Sequence, residues 1–249
     1  MQVLGIDIGG TGMKAAPVDV ETGKLLGERR RIATPQPSTS ASVAAVVREL
    51  VEAFSWTGPL GATFPGVVTD GIVRTAANVD PAWIGTDGAK LFGTATGLTV
   101  SMINDADAAG LAEMRFGAGA GHGGTVLILT LGTGIGSALF TDGVLVPNTE
   151  FGHIEIRGKE AEKRASELVR EQHELSWEKW AGRVDEYLEH MEMLLSPGLI
   201  IIGGGISKQS GKFLPRLTGL RAPIVAAALQ NDAGVVGAAM FAVSAGPAG

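Results

Sequence analysis

The stretch Val126–Leu139, VLILTLGTGIGSAL, decides how the rest of the chain is read. Val126–Leu131 predicts a buried strand, Gly132-Thr133-Gly134 a tight turn, and Ile135 the start of a returning strand. Glycine tolerates positive φ and carries no Cβ, so such a turn can bring backbone N–H groups up to an anion, with the Thr133 hydroxyl a further donor. On its own the stretch reads equally well as a hairpin between two core strands. A second copy of the plan tips the balance. Residues 3–20, VLGIDIGGTGMKAAPVDV, again run strand, glycine-threonine turn, strand. Two such turns facing each other would clamp a phosphate.

Composition narrows the function classes. With 249 residues, 45% hydrophobic and 18% charged, the chain can build a sizeable core in one or two domains and lacks the signature of disorder. A net charge of −6 argues against bulk nucleic-acid binding. The absence of cysteine removes disulfides and thiolate metal sites, and fits a cytoplasmic protein. No apolar run approaches the roughly 20 residues of a membrane span, and the first residues lack the plan of a signal peptide.

Outward from the two turns, Asp7 lies at the carboxyl end of strand Val3–Ile8, at the mouth of Gly9-Gly10-Thr11-Gly12. A carboxylate there suits a hydrated Mg²⁺ beside a phosphate. Met13–Val20 and Leu25–Ala33 are expected to complete a meander. After Pro35-Gln36-Pro37, Ser38 or Ser40 is expected to cap a helix reaching Phe54, with Val43, Val46, Val47, Leu50, Val51 and Phe54 on one face. Leu60–Phe64 reads as a strand and Val67–Val73 as a small hairpin around Asp70-Gly71. In the polar stretch that follows, Trp83 is expected to anchor a loop on the core, while the Asn78 amide offers a donor and an acceptor to a sugar hydroxyl.

Thr99–Ile103 reads as a strand that runs into Asn104-Asp105 ahead of a helix Ala106–Phe116. Open α/β sheets bind ligands at the carboxyl ends of their strands, so Asp105 is a candidate catalytic group, with helix capping the plainer alternative. Glu150 and His153, three residues apart in a glycine-containing loop, could address one small polar ligand. Helices are expected over 160–173 and 176–195, and a strand over Leu199–Ile202. Gly203-Gly204-Gly205 would let a nucleotide or phosphate chain lie on the backbone. Lys208, Lys212 and Arg216 recur every four residues, a basic stripe if the segment is helical, although Pro215 works against that. Pro223–Ala227 reads as a last strand and Asp232–Val243 as a small-residue helix. Strands alternating with helices predict an α/β protein.

Two glycine-threonine turns, an acid at a strand end and a late glycine turn match an actin-like ATPase clamp. More narrowly, IDIGGTGMK, NDADAAG, LTLGTGIGSAL, EFGH and IIGGGIS resemble the ROK family of sugar kinases and repressors over essentially the full chain. Through IDIGGTGMKAAPVDV, TFPGVV, NVDPAW and NTEFGHIE the chain is most similar to the actinobacterial polyphosphate/ATP glucokinases, glucomannokinases among them. The resemblance implies two RNase H-like domains with a cleft between them, residues 1–105 plus about 233–249 in one and 106–232 in the other. It implies Asp105 as the base for the sugar 6-hydroxyl. Asn78, Asn104, Glu150, His153 and Glu162 become sugar ligands, with Glu160 and Glu167 competing for the place of Glu162. Gly9, Gly10, Thr11, Gly12 and Lys14, with Gly132, Thr133 and Gly134, become phosphate ligands, and Gly203, Gly204 and Gly205 the nucleotide side. Mg²⁺ is implied at Asp7, through water. Many relatives carry a cysteine-rich zinc loop after the histidine of their GH motif. Residues 158–165 here hold no cysteine, so no zinc is expected.

The implied reaction moves a phosphoryl group from inorganic polyphosphate, ATP or both to the 6-hydroxyl of glucose. Mannose as acceptor, donor preference, and monomer or homodimer stay open. An ATP-only hexokinase is the near alternative. A sugar-responsive repressor on this scaffold would need a helix-turn-helix, for which no room is expected ahead of Val3. A phosphatase would put water in the place of sugar. Polyphosphate needs cations beyond the two turns, and Lys208, Lys212 and Arg216 are expected to supply them.

Overall fold

The computed structural model describes residues 1–76 and 79–244, so the sugar-ligand expectation at Asn78 lies outside the described residues. The chain divides into two units, Met1–Ala112 with the chain from Asp232 onward, and Glu113–Asn231. The first contains β1 (Gln2–Ile8), β2 (Met13–Asp19), β3 (Lys24–Leu25), β4 (Arg30–Ile32), α1 (Ser40–Ala53) and β5 (Leu60–Phe64). The hairpin β6 (Val68–Thr69) and β7 (Ile72–Val73), then α2 (Gly88–Thr96), β8 (Val100–Asn104) and the start of α3 (Asp105–Phe116) follow. Its sheet runs β3-β2-β1-β5-β8, with β4 also paired to β2. The β1–β2 pair is antiparallel, whereas β1, β5 and β8 are parallel. Every residue of β5 is buried, as expected of a parallel strand covered on both faces.

Two local expectations for this unit need correction. The strand expected over Leu25–Ala33 is two short ones, both on β2. Between them lies Pro17, whose carbonyl still accepts the Leu26 N–H but which has no N–H to continue the ladder. The cap of α1 is Thr39, whose side chain accepts the Ser42 N–H, rather than Ser38 or Ser40. A helix not expected from the sequence, α2, is capped by Asp87 and ended by Gly97 at φ 73°. Trp83 is fully buried, against Phe64 and Phe92, and its Nε1–H donates to the Ser38 carbonyl. The helix Ala233–Ser244 packs on β1 and β5, where Gly5 and Gly61 leave room for it. A Cβ at either glycine would overlap the carbonyl oxygen of Val235 or Ala238.

The second unit repeats the plan of hairpin followed by parallel strand. It holds β9 (Thr125–Leu131), β10 (Ile135–Thr141), β11 (Val144–Val146), β12 (Glu155–Ile156) and β13 (Lys159–Glu160). It continues with α4 (Glu162–Ala165), α5 (Glu167–Gln172), α6 (Trp177–Leu195), β14 (Leu199–Gly203) and β15 (Ile224–Ala226), which leaves the C-terminal helix of the first unit as α7. The sheet order is β11-β10-β9-β14-β15, with β9, β14 and β15 parallel. The helix expected over 160–173 is broken, because extended Ser166 ends α4 and its hydroxyl caps α5 by accepting the Val169 N–H. Trp180, Val184, Tyr187, Leu188 and Met191 form the buried face of α6.

The segment after β14 is not an α-helix either. It forms 3₁₀ turns over Gly205–Lys212, kinked at Gln209, and over Leu214–Arg216. Among the described residues no helix is long and apolar enough to cross a membrane.

Candidate active site

The turn Gly9–Gly12 closes with the Gly9 N–H donating to the Gly12 carbonyl at 3.2 Å. The register of β1 on β2 sets Asp7 opposite Lys14, whose Nζ donates to Asp7 Oδ2 at 3.0 Å. Thr63 on β5 donates to Asp7 Oδ1 at 3.1 Å while accepting the Ile8 N–H at 2.9 Å. Both carboxylate oxygens are thus held, and two of roughly four acceptor positions stay open. The ammonium 3.0 Å away opposes direct ligation of a cation, so the donor set suits a hydrated ion bound through water. Gly10 and Thr11 are exposed.

None of Gly9, Gly10, Gly12 or Gly132 has positive φ, contrary to the first reason given for glycine in these turns. At Gly12 the missing Cβ is what counts, whereas at Gly10 and Gly132 a Cβ would meet nothing within 4 Å. At Gly12 a Cβ would sit 2.6 Å from the guanidinium of Arg31, which donates to the Thr11 carbonyl at 3.1 Å. Arg31 was not singled out in the sequence. Only the pairing of β4 with β2, which places it opposite Lys14, reveals it.

At the end of β8, Asn104 is buried and Asp105 half-buried. Asn104 Oδ1 accepts the N–H groups of Ala106 at 2.9 Å and Asp107 at 3.0 Å, and its Nδ2 donates to the Gly66 carbonyl at 3.0 Å. Asn104 therefore caps α3, and one amide N–H is left over for a ligand. Asp105 Oδ1 accepts the Ala106 N–H at 2.8 Å, at a helix N-terminus that favours a carboxylate.

In the second unit the turn Gly132–Gly134 closes through Gly132 N–H to the Gly134 carbonyl at 3.0 Å, and Thr133 is exposed. Glu162 Oε2 accepts the Ile135 N–H at 3.3 Å, tying that carboxylate to this turn. Ser137 orders the next loop by donating to the Thr149 carbonyl at 2.7 Å and accepting the Phe151 N–H at 3.0 Å. The loop sets His153 Nε2 3.7 Å from Glu150, with Nδ1 3.8 Å from Glu160 and 4.0 Å from Glu162. Burial pushes the Glu150 carboxyl above its ordinary range, His153 opposing and Glu162 reinforcing the shift. Glu160 is held below that range by the Lys163 ammonium at 2.6 Å. Glu167 stands apart, beside Gly205, and is pushed up by burial. Ligand atoms of His153, Glu160 and Glu162 lie within 4.8 Å of one another, a nitrogen-and-carboxylate set able to bind a cation without any cysteine.

Gly203 ends β14, and Gly204 is doubly suited to glycine, with φ at 84° and a Cβ there set to meet the Leu131 carbonyl oxygen at 2.5 Å. Gly205 is exposed. The α-helix on which a stripe of Lys208, Lys212 and Arg216 depended is absent, the segment being 3₁₀ with a kink at Gln209. At three residues per turn a four-residue spacing rotates around the axis instead of repeating on one face. Lys212 Nζ donates to Gln209 Oε1 at 2.9 Å and lies 5.2 Å from the centre of the Trp177 ring. Arg216 donates to the Lys212 carbonyl at 2.6 Å.

The ROK family profile matches residues 3–171. The chain is 53% identical over 241 residues to a polyphosphate glucokinase of Mycobacterium tuberculosis, across 96% of this chain and 91% of that protein. It is similar in structure, with a TM-score of 0.95 and 52% identity, to an inorganic polyphosphate/ATP-glucomannokinase from Arthrobacter sp. strain KM, covering 98% of this chain and 99% of that one. A ROK family glucokinase from Streptomyces griseus, solved with glucose and AMPPNP, matches with a TM-score of 0.84 and 28% identity over 98% of this chain. A profile that spans most of the chain, and a relative more than half identical along nearly all of it, make this protein a member of the ROK family.

Proposed function

We propose that the protein is a polyphosphate/ATP-dependent glucokinase, moving a phosphoryl group to the 6-hydroxyl of glucose. The observation that carries this reading is 53% identity to a polyphosphate glucokinase along nearly the whole chain. Phosphoryl transfer asks little of a protein beyond positioning and charge neutralisation. Asp105 accepts the proton of the attacking hydroxyl; its place at a strand end, on a helix that Asn104 already caps, supports that role. Glu150, His153 and Glu162 hydrogen-bond the sugar, and their gathering around one loop supports Glu162 over Glu167. In the first unit, backbone N–H groups of Gly9–Gly12 with Lys14 and the Thr11 hydroxyl bind phosphate, and in the second those of Gly132–Gly134 with the Thr133 hydroxyl do so. A hydrated Mg²⁺ bound through water at Asp7 would neutralise developing charge there. Gly203–Gly205 is the nucleotide side.

A donor-by-acceptor matrix on purified protein tests the reading. Polyphosphate and ATP should each give glucose 6-phosphate from glucose, and the mannose arms read mannose 6-phosphate if that sugar is accepted. Consumption of polyphosphate without sugar would indicate a phosphatase, and turnover with ATP alone an ordinary hexokinase.

A further inference from the structure

The Arg31 guanidinium lies against the backbone of the Gly9–Gly12 turn, where a side chain on Gly12 would otherwise be. Among the described residues it makes one hydrogen bond, to the Thr11 carbonyl, and no ion pair. A guanidinium has five N–H donors in a planar fork suited to phosphate oxygens. Lys14, its neighbour across the β2–β4 pair, is already matched by Asp7. Arg31 is therefore an exposed cation on an anion-binding turn with no carboxylate of its own. Beside it opens a depression of about 550 Å³ lined by three arginines, Arg29, Arg30 and Arg31, against two carboxylates, Glu28 and Glu49, with Phe54 at its wall. Arg30 stands over the Phe54 ring, 5.6 Å from its centre, and Arg29 is paired to Asp232 at 2.5 Å.

The geometry points to Arg31 and the arginine-lined depression along β4 as the subsite that carries a long polyphosphate chain beyond the phosphate held in the turn. This rests on the reading of polyphosphate as a donor. ATP ends its charge after three phosphates and continues as an uncharged nucleoside, whereas inorganic polyphosphate continues as charge. A surface for the remainder of the chain therefore needs cations next to the turn, in the same unit, and β4 provides them. The segment carrying Lys208, Lys212 and Arg216 is a weaker candidate, because Lys212 and Arg216 are engaged locally on a 3₁₀ segment kinked at Gln209.

Equilibrium binding of tripolyphosphate and of long-chain polyphosphate, measured by calorimetry over a series of salt concentrations, tests the proposal without relying on turnover. Arg31→Ala should weaken long-chain binding by about ten-fold, a larger factor than for tripolyphosphate. It should also lower the slope of log affinity against log salt by about 1. Arg31→Lys should restore the slope but not the affinity, since it keeps the charge and loses the fork. Lys208→Ala should change neither. Unchanged long-chain affinity and slope in both Arg31 variants would overturn the subsite, as would a loss confined to Lys208→Ala. If the unmutated protein binds the polymer through Arg31 yet makes no glucose 6-phosphate from it, the glucokinase reading fails and the subsite stands. No binding of the polymer at all refutes both.

Discussion

Asn104 and Asp105 share the start of α3, and the division of labour between them has consequences for chemistry. Asn104 accepts two of the helix's first N–H groups, so α3 does not depend on the charge of Asp105. Asp105→Asn should therefore fold normally and bind glucose while losing about 10²–10⁴ in kcat, the usual contribution of a general base. Near-normal turnover in that variant would remove Asp105 from the mechanism. Glu150 makes a prediction about pH. Its carboxyl is raised chiefly by burial, so ionising it costs stability. The cost is absent below the ordinary carboxylate range near 4, accrues as pH rises towards the raised value, and is complete above it. Glu150→Gln should therefore raise the thermal midpoint at neutral pH, with the gain vanishing in acid, and should raise KM for glucose. A gain in midpoint that does not vary with pH would contradict the burial penalty.

At the scale of elements, α7 shows how a helix is accepted by a sheet. Its first half is largely buried, through Ala233 and residues 235–239, and it meets β1 and β5 at Gly5 and Gly61. Backbone faces the missing side chains there, so nothing flexible can yield to an added methyl. Gly61→Ala should destabilise the protein by about 3 kcal/mol, the upper part of the range for overpacking. The midpoint of urea denaturation reads this directly, and a loss under about 1 kcal/mol would mean that α7 can slide. The 3₁₀ segment after β14 carries the opposite lesson. Four-residue spacing of cations in sequence implies a stripe only where the backbone has 3.6 residues per turn, and here it does not.

Across the whole molecule, some of the strongest constraints join residues far apart in the chain. Glu113 is buried, and its carboxylate accepts the N–H groups of Ala118 at 2.9 Å, Ala228 at 3.0 Å and Leu229 at 2.7 Å. It ties α3 to the chain just beyond β15. Glu113→Ala would remove three part-buried hydrogen bonds to a carboxylate, whose N–H groups water can reach in part, so a loss of about 1–3 kcal/mol is expected. Hydrogen exchange at residues 228 and 229 should rise with it; protection unchanged there would show that the carboxylate is not what holds these amides.

Much of the site was legible because its signals are local. A strand, a glycine turn with threonine and a returning strand declare themselves within a dozen residues, as they do around Gly9–Gly12 and Gly132–Gly134. So does an acid at a strand end, and Asn104-Asp105 is found where it was expected. Pairing across strands and contacts across long separations are not local. Arg31 reaches the first turn only because β4 joins β2 in one register, and Glu113 meets residues more than a hundred positions away. Glu160 and Glu162, rather than Glu167, gather at His153 because Ser166 breaks the helix between them. Local sequence determined which elements and turns form, because φ/ψ preference, capping and periodicity act over a few residues. Tertiary structure decided which charges meet, because that depends on register and packing, which no short stretch encodes.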